Sequence, residues 1–414
     1  MRTTFQAAMA TSALALSAGV ALAQDCSIDG AGSVRILSND FNALRLVAER
    51  AEECASDSVE VTTNLTTEHN NIQVAALTVN PATYTVKVLA TGSLMPLLNE
   101  GLLRTLDDLV AKYGDNLDEQ QLIRVDGKIV AIAFMVNAQH LVYRADILEE
   151  NGIEPPKTYE DMLAAADALR EAGVMDYPIL ANMKSGWHLG EEFVNMYLGL
   201  GGEFFEPGSA TLAIENDKAV AALDMMKAET ERMTPDYATL DTTVTTPSWN
   251  GGEGALMTMW GSAVSAVIDE NGESPDIARN TKVATAMTVG GGDIPASSLW
   301  WDGFSLAANI SDADADVSFQ VMMHAIAPEL ASEHPLDSNW LIRGYEPTAA
   351  SQGVFDTMAA GARPYPMVPY MGFLHTALGA NLTEFLQGNE TAEQALADVT
   401  AAYDLAAREA GFLN

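Results

Sequence analysis

The 414-residue chain carries 57 Asp and Glu residues against 21 Lys and Arg residues, which gives a formal net charge of −36 at pH 7. A surface this acidic repels phosphate backbones and anionic headgroups, so it excludes nucleic acid and acidic lipid as partners. A single hydrophobic core stops growing at about 250–300 residues, so the length of the chain predicts two domains.

The N-terminus has the pattern of an export signal. Arg2 precedes an Ala- and Leu-rich run at residues 7–21, and a small-x-small cleavage site ends at Ala23. We therefore predict a signal peptide at residues 1–23 and a periplasmic protein. Cys26 lies beyond the position that lipid attachment requires, and no later stretch reaches about 18 uninterrupted apolar residues. We expect neither a lipid anchor nor a membrane span.

The chain has two cysteines, Cys26 and Cys54. In an oxidising compartment they can pair. Neither belongs to a motif with His or Asp that is typical of a metal or redox site. We predict a disulfide that ties the first strand to the end of the first helix, and no metal ion.

Short apolar strands alternate with helical patterns in the first part of the chain. The predicted elements are strands at residues 33–38, 59–65 and 84–90, and helices at residues 41–54, at 70–79 and from 94 onward. The connections are short, so this β-α-β-α-β progression predicts a largely parallel sheet and an α/β protein.

The later elements are less regular. Strands are predicted at residues 129–134 and 141–143, and helices at 159–172, 189–200, 217–232 and 391–410. Thr158 precedes the first of these helices and is predicted to cap it.

Six groups of residues follow one another in a distinctive order. They are G-L-L-R-T-L-D-D-L at 101–109, D-G-K at 126–128 with V-Y-R-A-D-I-L at 142–148, P-K-T-Y-E-D-M at 156–162, G-A-L-M at 254–257, W-D-G at 301–303, and G-N-E-T-A-E-Q-A-L at 388–396. In order and spacing the set resembles the carbohydrate-type, maltose-binding-protein-like extracellular solute-binding proteins of ABC importers.

The resemblance implies a two-lobed periplasmic-binding-protein fold, in which each lobe is a mostly parallel sheet flanked by helices. The implied lobes are residues 24–135 plus about 286–332, and residues 136–285 plus about 333–414. Hinge segments are expected near residues 134–140, 282–287 and 332–340. The ligand is expected between the lobes, which also follows from the rule that open α/β sheets bind ligands beyond the ends of their strands.

The function implied by the resemblance is capture of a small carbohydrate and its delivery to the permease subunits of an ABC transporter. The implied protein is a monomer without a cofactor. Family members often place Gly-x-Trp after the segment that corresponds to residues 254–257. This chain has Gly261-Ser262-Ala263 there, with Trp260 just upstream. The difference favours a ligand smaller than an oligosaccharide.

A sugar site needs apolar faces for C–H groups and polar side chains for hydroxyls. Trp300, Trp301 and Asp302 combine both kinds of group in consecutive positions. We predict that Trp301 and Asp302 form the central binding pair, with Trp300 as a further contact.

Other candidate ligand contacts lie in loops after predicted strands, at the first crossing, or in aromatic-rich late segments. They are Asp40, Phe41, Glu68, Thr91, Ser93, Asn137, Trp187, Trp260, Arg343, Tyr345 and Tyr370. Asp40 equally fits a helix cap. The segment from Thr91 to Ser93 opens a helix, whose free N–H groups suit an anion or a hydroxyl oxygen. Arg343 suits a carboxylate or sulfonate.

The alternatives within the binding class are a polyamine, a polyol or an anionic sugar derivative. A polyamine would use aromatic and acidic groups through cation–π contacts and ion pairs. A secreted hydrolase is the more remote alternative. The sequence has no G-x-S-x-G, H-E-x-x-H, P-loop or dinucleotide-binding motif. We therefore expect no catalytic residue.

Overall fold

The computed structural model describes residues 26–414, and the predicted signal peptide lies outside this range. The strands are β1 (Gly32–Ser38), β2 (Val59–Leu65), β3 (Val86–Ala90), β4 (Leu122–Val125), β5 (Lys128–Asn137), β6 (Gln139–Arg144), β7 (Ile179–Leu180), β8 (Leu256–Trp260), β9 (Thr281–Ala284), β10 (Ser298–Leu306) and β11 (Arg363–Pro364).

Helices cover both sheets. They are α1 (Asn42–Glu52), α2 (His69–Thr78), α3 (Thr91–Asn99), α4 (Asp107–Tyr113), α5 (Ala145–Glu150), α6 (Tyr159–Glu171), α7 (Trp187–Gly199), α8 (Asp217–Thr230), α9 (Thr242–Asn250), α10 (Pro275–Asn280), α11 (Asp312–Ala325), α12 (Pro328–Glu333), α13 (Gln352–Ala359), α14 (Met371–Asn381), α15 (Thr383–Leu386) and α16 (Ala392–Glu409). The predicted α/β fold is confirmed.

The strands form two sheets. The first has the order β2-β1-β3-β10-β5-β4, with β11 beside the start of β10, and the second has the order β7-β8-β6-β9. The prediction of mostly parallel sheets is wrong in detail, because β10 runs antiparallel to both β3 and β5, and β6 runs antiparallel to both β8 and β9. A strand that arrives from the other lobe begins beside the carboxyl ends of its neighbouring strands. It therefore runs antiparallel to them.

Each sheet has its own hydrophobic core, so the predicted two-lobed arrangement is confirmed. The first core contains Val34, Phe134, Trp301, Phe319 and Trp340, and the second contains Leu141, Phe193, Trp249, Leu374 and Tyr403.

The chain passes between the two cores at residues 138–141 and 296–301. It does so again within residues 342–365, where Ala350 packs in the second core, Val354 in the first and Tyr365 in the second. Trp340, Leu341 and Ile342 pack in the first core, although they lie in the range that the sequence assigned to the second lobe. The exact lobe boundaries stay a proposal.

Local sequence signals account for several helix ends. Thr158 Oγ1 accepts a hydrogen bond from the backbone N–H of Asp161 at 3.0 Å, and the Asp161 carboxylate accepts from the Thr158 N–H. This reciprocal capping box starts α6 at the predicted residue. Helix α7 is buried from Leu189 to Gly199, and this buried stretch includes the polar residues Glu191, Glu192 and Asn195.

No helix within residues 26–414 has the length and apolar character needed to cross a bilayer.

Cys26 and Cys54 form a disulfide across a sequence separation of 28 residues, as predicted. Replacing both by Ser should lower the free energy of unfolding by about 3 kcal/mol, because the loop regains its freedom in the unfolded chain. Urea denaturation measures the change, and the reduced wild-type protein should match the double variant. Identical denaturation midpoints for the oxidised wild type and the variant would contradict this role.

Candidate functional site

Three tryptophans from separate elements meet where the two lobes join. Trp187 begins α7, Trp260 ends β8 and Trp300 lies near the start of β10. Their ring centroids are 5.7 Å apart for Trp187 and Trp300, 6.2 Å for Trp187 and Trp260, and 6.3 Å for Trp260 and Trp300. We call these three residues the tryptophan cluster. Trp187 is 47% exposed, so the cluster has one face open to solvent.

Close packing of α14 against the start of α7 holds Trp187 in place. Gly186 adopts a φ of 98°, and its N–H donates to the carbonyl of Gly379 at 3.0 Å. A Cβ atom at Gly379 would lie 2.2 Å from the Gly186 carbonyl oxygen. The contact therefore requires glycine at both positions.

His375 contacts Trp187 through both its ring and a hydrogen bond. The two rings stack with centroids 5.0 Å apart, and His375 Nε2 donates to the Trp187 carbonyl at 2.8 Å. His375 Nδ1 then accepts from the Tyr365 hydroxyl at 2.9 Å. Burial lowers the pKa of His375 to about 4, so the imidazole is neutral at pH 7 and both nitrogens have partners.

Trp300 is held by a buried carboxyl group. Its Nε1 lies 2.9 Å from Glu191 Oε1 and 2.9 Å from Ser298 Oγ. Burial raises the pKa of Glu191 to about 8. The ring of Tyr365 packs against Trp300 with centroids 4.2 Å apart. The indole is therefore fixed at its nitrogen and along its face.

Asp302 is the carboxylate nearest in sequence to this cluster. Strand alternation places it on the same side of β10 as Trp300, and it pairs with Ala90 at the end of β3. Burial raises the pKa of Asp302 to about 7, against the opposing effect of Lys87. The side chain is partly exposed, and among residues 26–414 none donates a hydrogen bond to this carboxylate, so no protein group in that range uses its acceptor oxygens.

Lys87 and His69 form a buried pair that the sequence did not reveal as part of the site. Lys87 has no exposed surface, and its Nζ lies 2.6 Å from His69 Nδ1 and donates to the Val88 carbonyl at 2.8 Å. Burial lowers the pKa of Lys87 to about 7, while Asp302 opposes this shift. The available signal was a lysine inside the apolar strand V-K-V-L-A at 86–90.

The start of α3 borders the cluster from the first lobe. Thr91 Oγ1 accepts from the Trp301 N–H at 3.0 Å, and Ser93 Oγ donates to Asn70 Oδ1 at 3.2 Å. A Cβ atom at Gly92 would lie 3.9 Å from the Trp300 ring. This turn therefore lies against the tryptophan cluster.

Asn137 bridges the two lobes at the first crossing. It pairs with Trp300 in the β5–β10 ladder. Its Nδ2 donates to Ser262 Oγ at 3.0 Å, and its Oδ1 accepts from the Ser262 N–H at 3.2 Å. Its amide group therefore links the first sheet to the turn that follows Trp260.

Trp301 lies apart from the cluster. It is 7% exposed and packs in the first core, because successive residues of a strand point to opposite faces. The structure therefore places Trp300, rather than Trp301, beside Trp187 and Trp260.

The candidates after the first two strands have partners of their own. Asp40 forms an ion pair with Arg45 at 2.7 Å, and the residue at the N-cap of α1 is Phe41, so Asp40 is not the helix cap. Phe41 is 38% exposed. Glu68 is exposed and accepts a hydrogen bond from Asn71.

The late candidates are also engaged elsewhere. Arg343 donates to Asp118 Oδ1 at 2.9 Å and to two backbone carbonyls of the first lobe. The hydroxyl of Tyr345 lies 2.9 Å from Ser351 Oγ, and that of Tyr370 donates to the Ser209 carbonyl at 2.8 Å. The structure does not bring these three side chains into contact with the cluster.

Residues 57–317 match the family model described as bacterial extracellular solute-binding protein. A probable sugar-binding periplasmic protein of Rhizobium meliloti is 28% identical over 156 residues, which is 36% of this chain and 36% of the relative. The aligned region thus spans about a third of that relative's length.

Two crystal structures share the fold over nearly their whole length. One is an ABC transporter solute-binding protein of Agrobacterium radiobacter K84 in complex with ribitol, with a TM-score of 0.73, 19% identity, and coverage of 91% of this chain and 99% of that one. The other is maltose-bound MalE3 of T. maritima, with a TM-score of 0.72, 18% identity, and coverage of 90% and 99%. With more than half of its length matched by the family model, this chain belongs to the bacterial extracellular solute-binding proteins.

Proposed function

We propose that the protein captures a small neutral sugar or polyol between its lobes and delivers it to the permease of an ABC importer. The observation that carries this proposal is an open tryptophan cluster beside Asp302, whose carboxylate has no hydrogen-bond donor among the described residues. An indole face packs against the C–H side of a sugar and excludes water from it, and a carboxylate accepts hydrogen bonds from two hydroxyl groups.

The turn at the start of α3 adds polar groups from the first lobe. The first N–H groups of a helix lack intrahelical partners and suit a hydroxyl oxygen. Thr91 ties this turn to the backbone of Trp301, so the turn and Asp302 form one connected surface. Ribitol and maltose, the ligands of the two similar structures, have the hydroxyl groups that such a surface recognises.

A polyamine is the second candidate ligand. Aromatic faces beside a carboxylate also suit an organic cation. An anionic sugar derivative has less support. The sequence analysis suggested Arg343 as the group that binds a carboxylate or sulfonate, but its guanidinium donates a hydrogen bond to Asp118.

We also propose export to the periplasm, with cleavage after Ala23, and a role in transport rather than catalysis. The intact mass of the exported protein should correspond to residues 24–414 less two hydrogens, because oxidation to the disulfide removes one hydrogen atom from each thiol. Mass spectrometry tests this directly. Retention of residues 1–23, an attached lipid or two free thiols would contradict the proposal.

Trp187→Ala should weaken binding of the preferred ligand by about tenfold to a hundredfold, because an indole face is lost. Asp302→Asn should weaken it to a similar degree, because charge-assisted hydrogen bonds become neutral ones. Calorimetry with ribitol, maltose and spermidine measures both effects and separates the candidate ligand classes.

The matched controls are Tyr177→Ala, which removes another exposed aromatic of the second lobe, and Asp293→Asn, which neutralises an exposed carboxylate. Both controls should bind like the wild type. Wild-type affinity in Trp187→Ala, or selective binding of spermidine, would overturn the assignment of a neutral sugar or polyol.

Binding should weaken as the pH falls through about 7, because burial raises the pKa of Asp302 to about 7. Protonation turns a carboxylate acceptor into a weaker neutral one. The affinity of Asp302→Asn should depend less on pH in this range. Lys87 titrates in the same range, and its pKa is raised by the Asp302 charge. Asp302→Asn therefore also lowers the pKa of Lys87, and the difference between the two profiles reports the coupled Asp302–Lys87 pair. Parallel profiles would show that its ionisation does not control binding.

A further inference from the structure

Glu191 is a buried carboxyl group with an unusual set of neighbours. It has no exposed surface, and its Oε1 accepts hydrogen bonds from the side chains of Ser298 and Trp300. Its Oε2 has no hydrogen-bond partner among residues 26–414. Burying a carboxyl group with an oxygen that lacks a hydrogen bond lowers the free energy of unfolding. An apolar residue at this position would avoid that loss of stability.

The neighbouring histidine does not neutralise this carboxyl. His375 Nδ1 lies 3.9 Å from Glu191 Oε2, but that nitrogen already accepts from Tyr365. Burial raises the pKa of Glu191 to about 8 and lowers that of His375 to about 4. Both groups are therefore neutral at pH 7, and their contact is not an ion pair.

The partners of Glu191 lie at the point where β10 leaves the second lobe. Ser298 also donates its backbone N–H to Asn195 Oδ1 at 2.7 Å. Glu191 and Asn195 are one turn apart on α7, so both face the same strand. The indole of Trp300 packs against the second core, and that of Trp301 packs in the first. Leu299 also packs against the first core, so Trp300 extends its indole into the second lobe between two residues that face the first.

We propose that Glu191 is a positioning residue for the ligand site: it accepts the Trp300 N–H and so holds this indole against Trp187 and Trp260. Without Glu191, the indole nitrogen of Trp300 keeps Ser298 Oγ as an acceptor at 2.9 Å, but that hydroxyl loses its own Glu191 partner. The ring is then held less firmly in the cluster. The proposal deepens the proposed function and rests on it for the identity of the ligand. The position of the indole can be measured without any ligand.

A double-mutant cycle tests the proposal. Glu191→Met removes the acceptor, and Glu191→Gln keeps an amide oxygen in its place. Each is made in the wild type and in Trp300→Phe, which has no indole N–H. Ribitol affinity is measured by calorimetry, and the coupled indole bands of the ligand-free protein are measured by circular dichroism.

In the wild-type background, Glu191→Met should weaken ribitol binding by about tenfold or more and change the indole bands. Glu191→Gln should stay within about twofold of the wild type, because the hydrogen bond is kept. In the Trp300→Phe background, Glu191→Met should have about twofold effect or less. Glu229→Met removes another buried carboxyl of the second lobe, and it should leave both measurements unchanged.

Equal losses of affinity in both backgrounds would overturn the proposal, because Glu191 would then act independently of Trp300. Unchanged indole bands in Glu191→Met would overturn it as well, whatever the ligand. If the bands change as expected but ribitol, maltose and spermidine all fail to bind the wild type, the positioning role holds and the proposed function fails. If Glu191→Met does not fold, Glu191→Leu replaces it in the cycle, and additive effects of Glu191→Leu and Trp300→Phe would then overturn the proposal.

Discussion

The hydrogen bonds between helix α7 and the start of β10 constrain the whole region between the lobes. Ser298 and Trp300 belong to a strand of the first sheet, yet Glu191 and Asn195 hold them to the second lobe. From Trp301 onward the strand belongs to the first core. Trp300 therefore lies among the aromatic residues of the second lobe, while Asp302 lies within the first sheet, between the end of β3 and β5.

The strongly acidic surface contrasts with a set of buried acidic and basic side chains whose pKa values are shifted by burial. The surface carries most of a net charge of −36, while burial raises the pKa values of Glu191 and Glu192 to about 8. Burial likewise shifts the pKa values of Asp302 and Lys87 to about 7 from opposite sides. These buried acids and bases are therefore partly or mostly neutral at pH 7, although the exterior is strongly acidic.

The features that the sequence predicted well are those with local causes. The cap at Thr158 depends on residues three positions apart, and it is present. The disulfide spans 28 residues but could still be predicted, because Cys26 and Cys54 are the two cysteines of the chain. The two-lobed fold was predicted from the order and spacing of the six segments that resemble the family. The parallel content of the sheets could not be predicted in the same way, because the direction of β10 depends on where the chain crosses between the lobes.

The site was only partly predictable for a similar reason. Alternation along β10 requires Trp300 and Trp301 to face opposite sides, but the sequence does not say which side the core occupies. Glu191 and His375 are separated by 184 positions, and only the fold brings them to 3.9 Å. Arg343 shows the same limit, because its position in a loop does not reveal the three acceptors to which its guanidinium donates.

The contact among three indoles, of which only Trp187 is half exposed, gives the molecule an intrinsic optical reporter. Indole emission depends on the water around the ring, and the ring that water reaches is the one on the open face of the cluster. Any molecule that covers this face changes the light that the native protein emits. Occupancy can therefore be followed in solution without an attached dye, and a library of compounds can be sorted by their effect on a signal that the sequence already encodes.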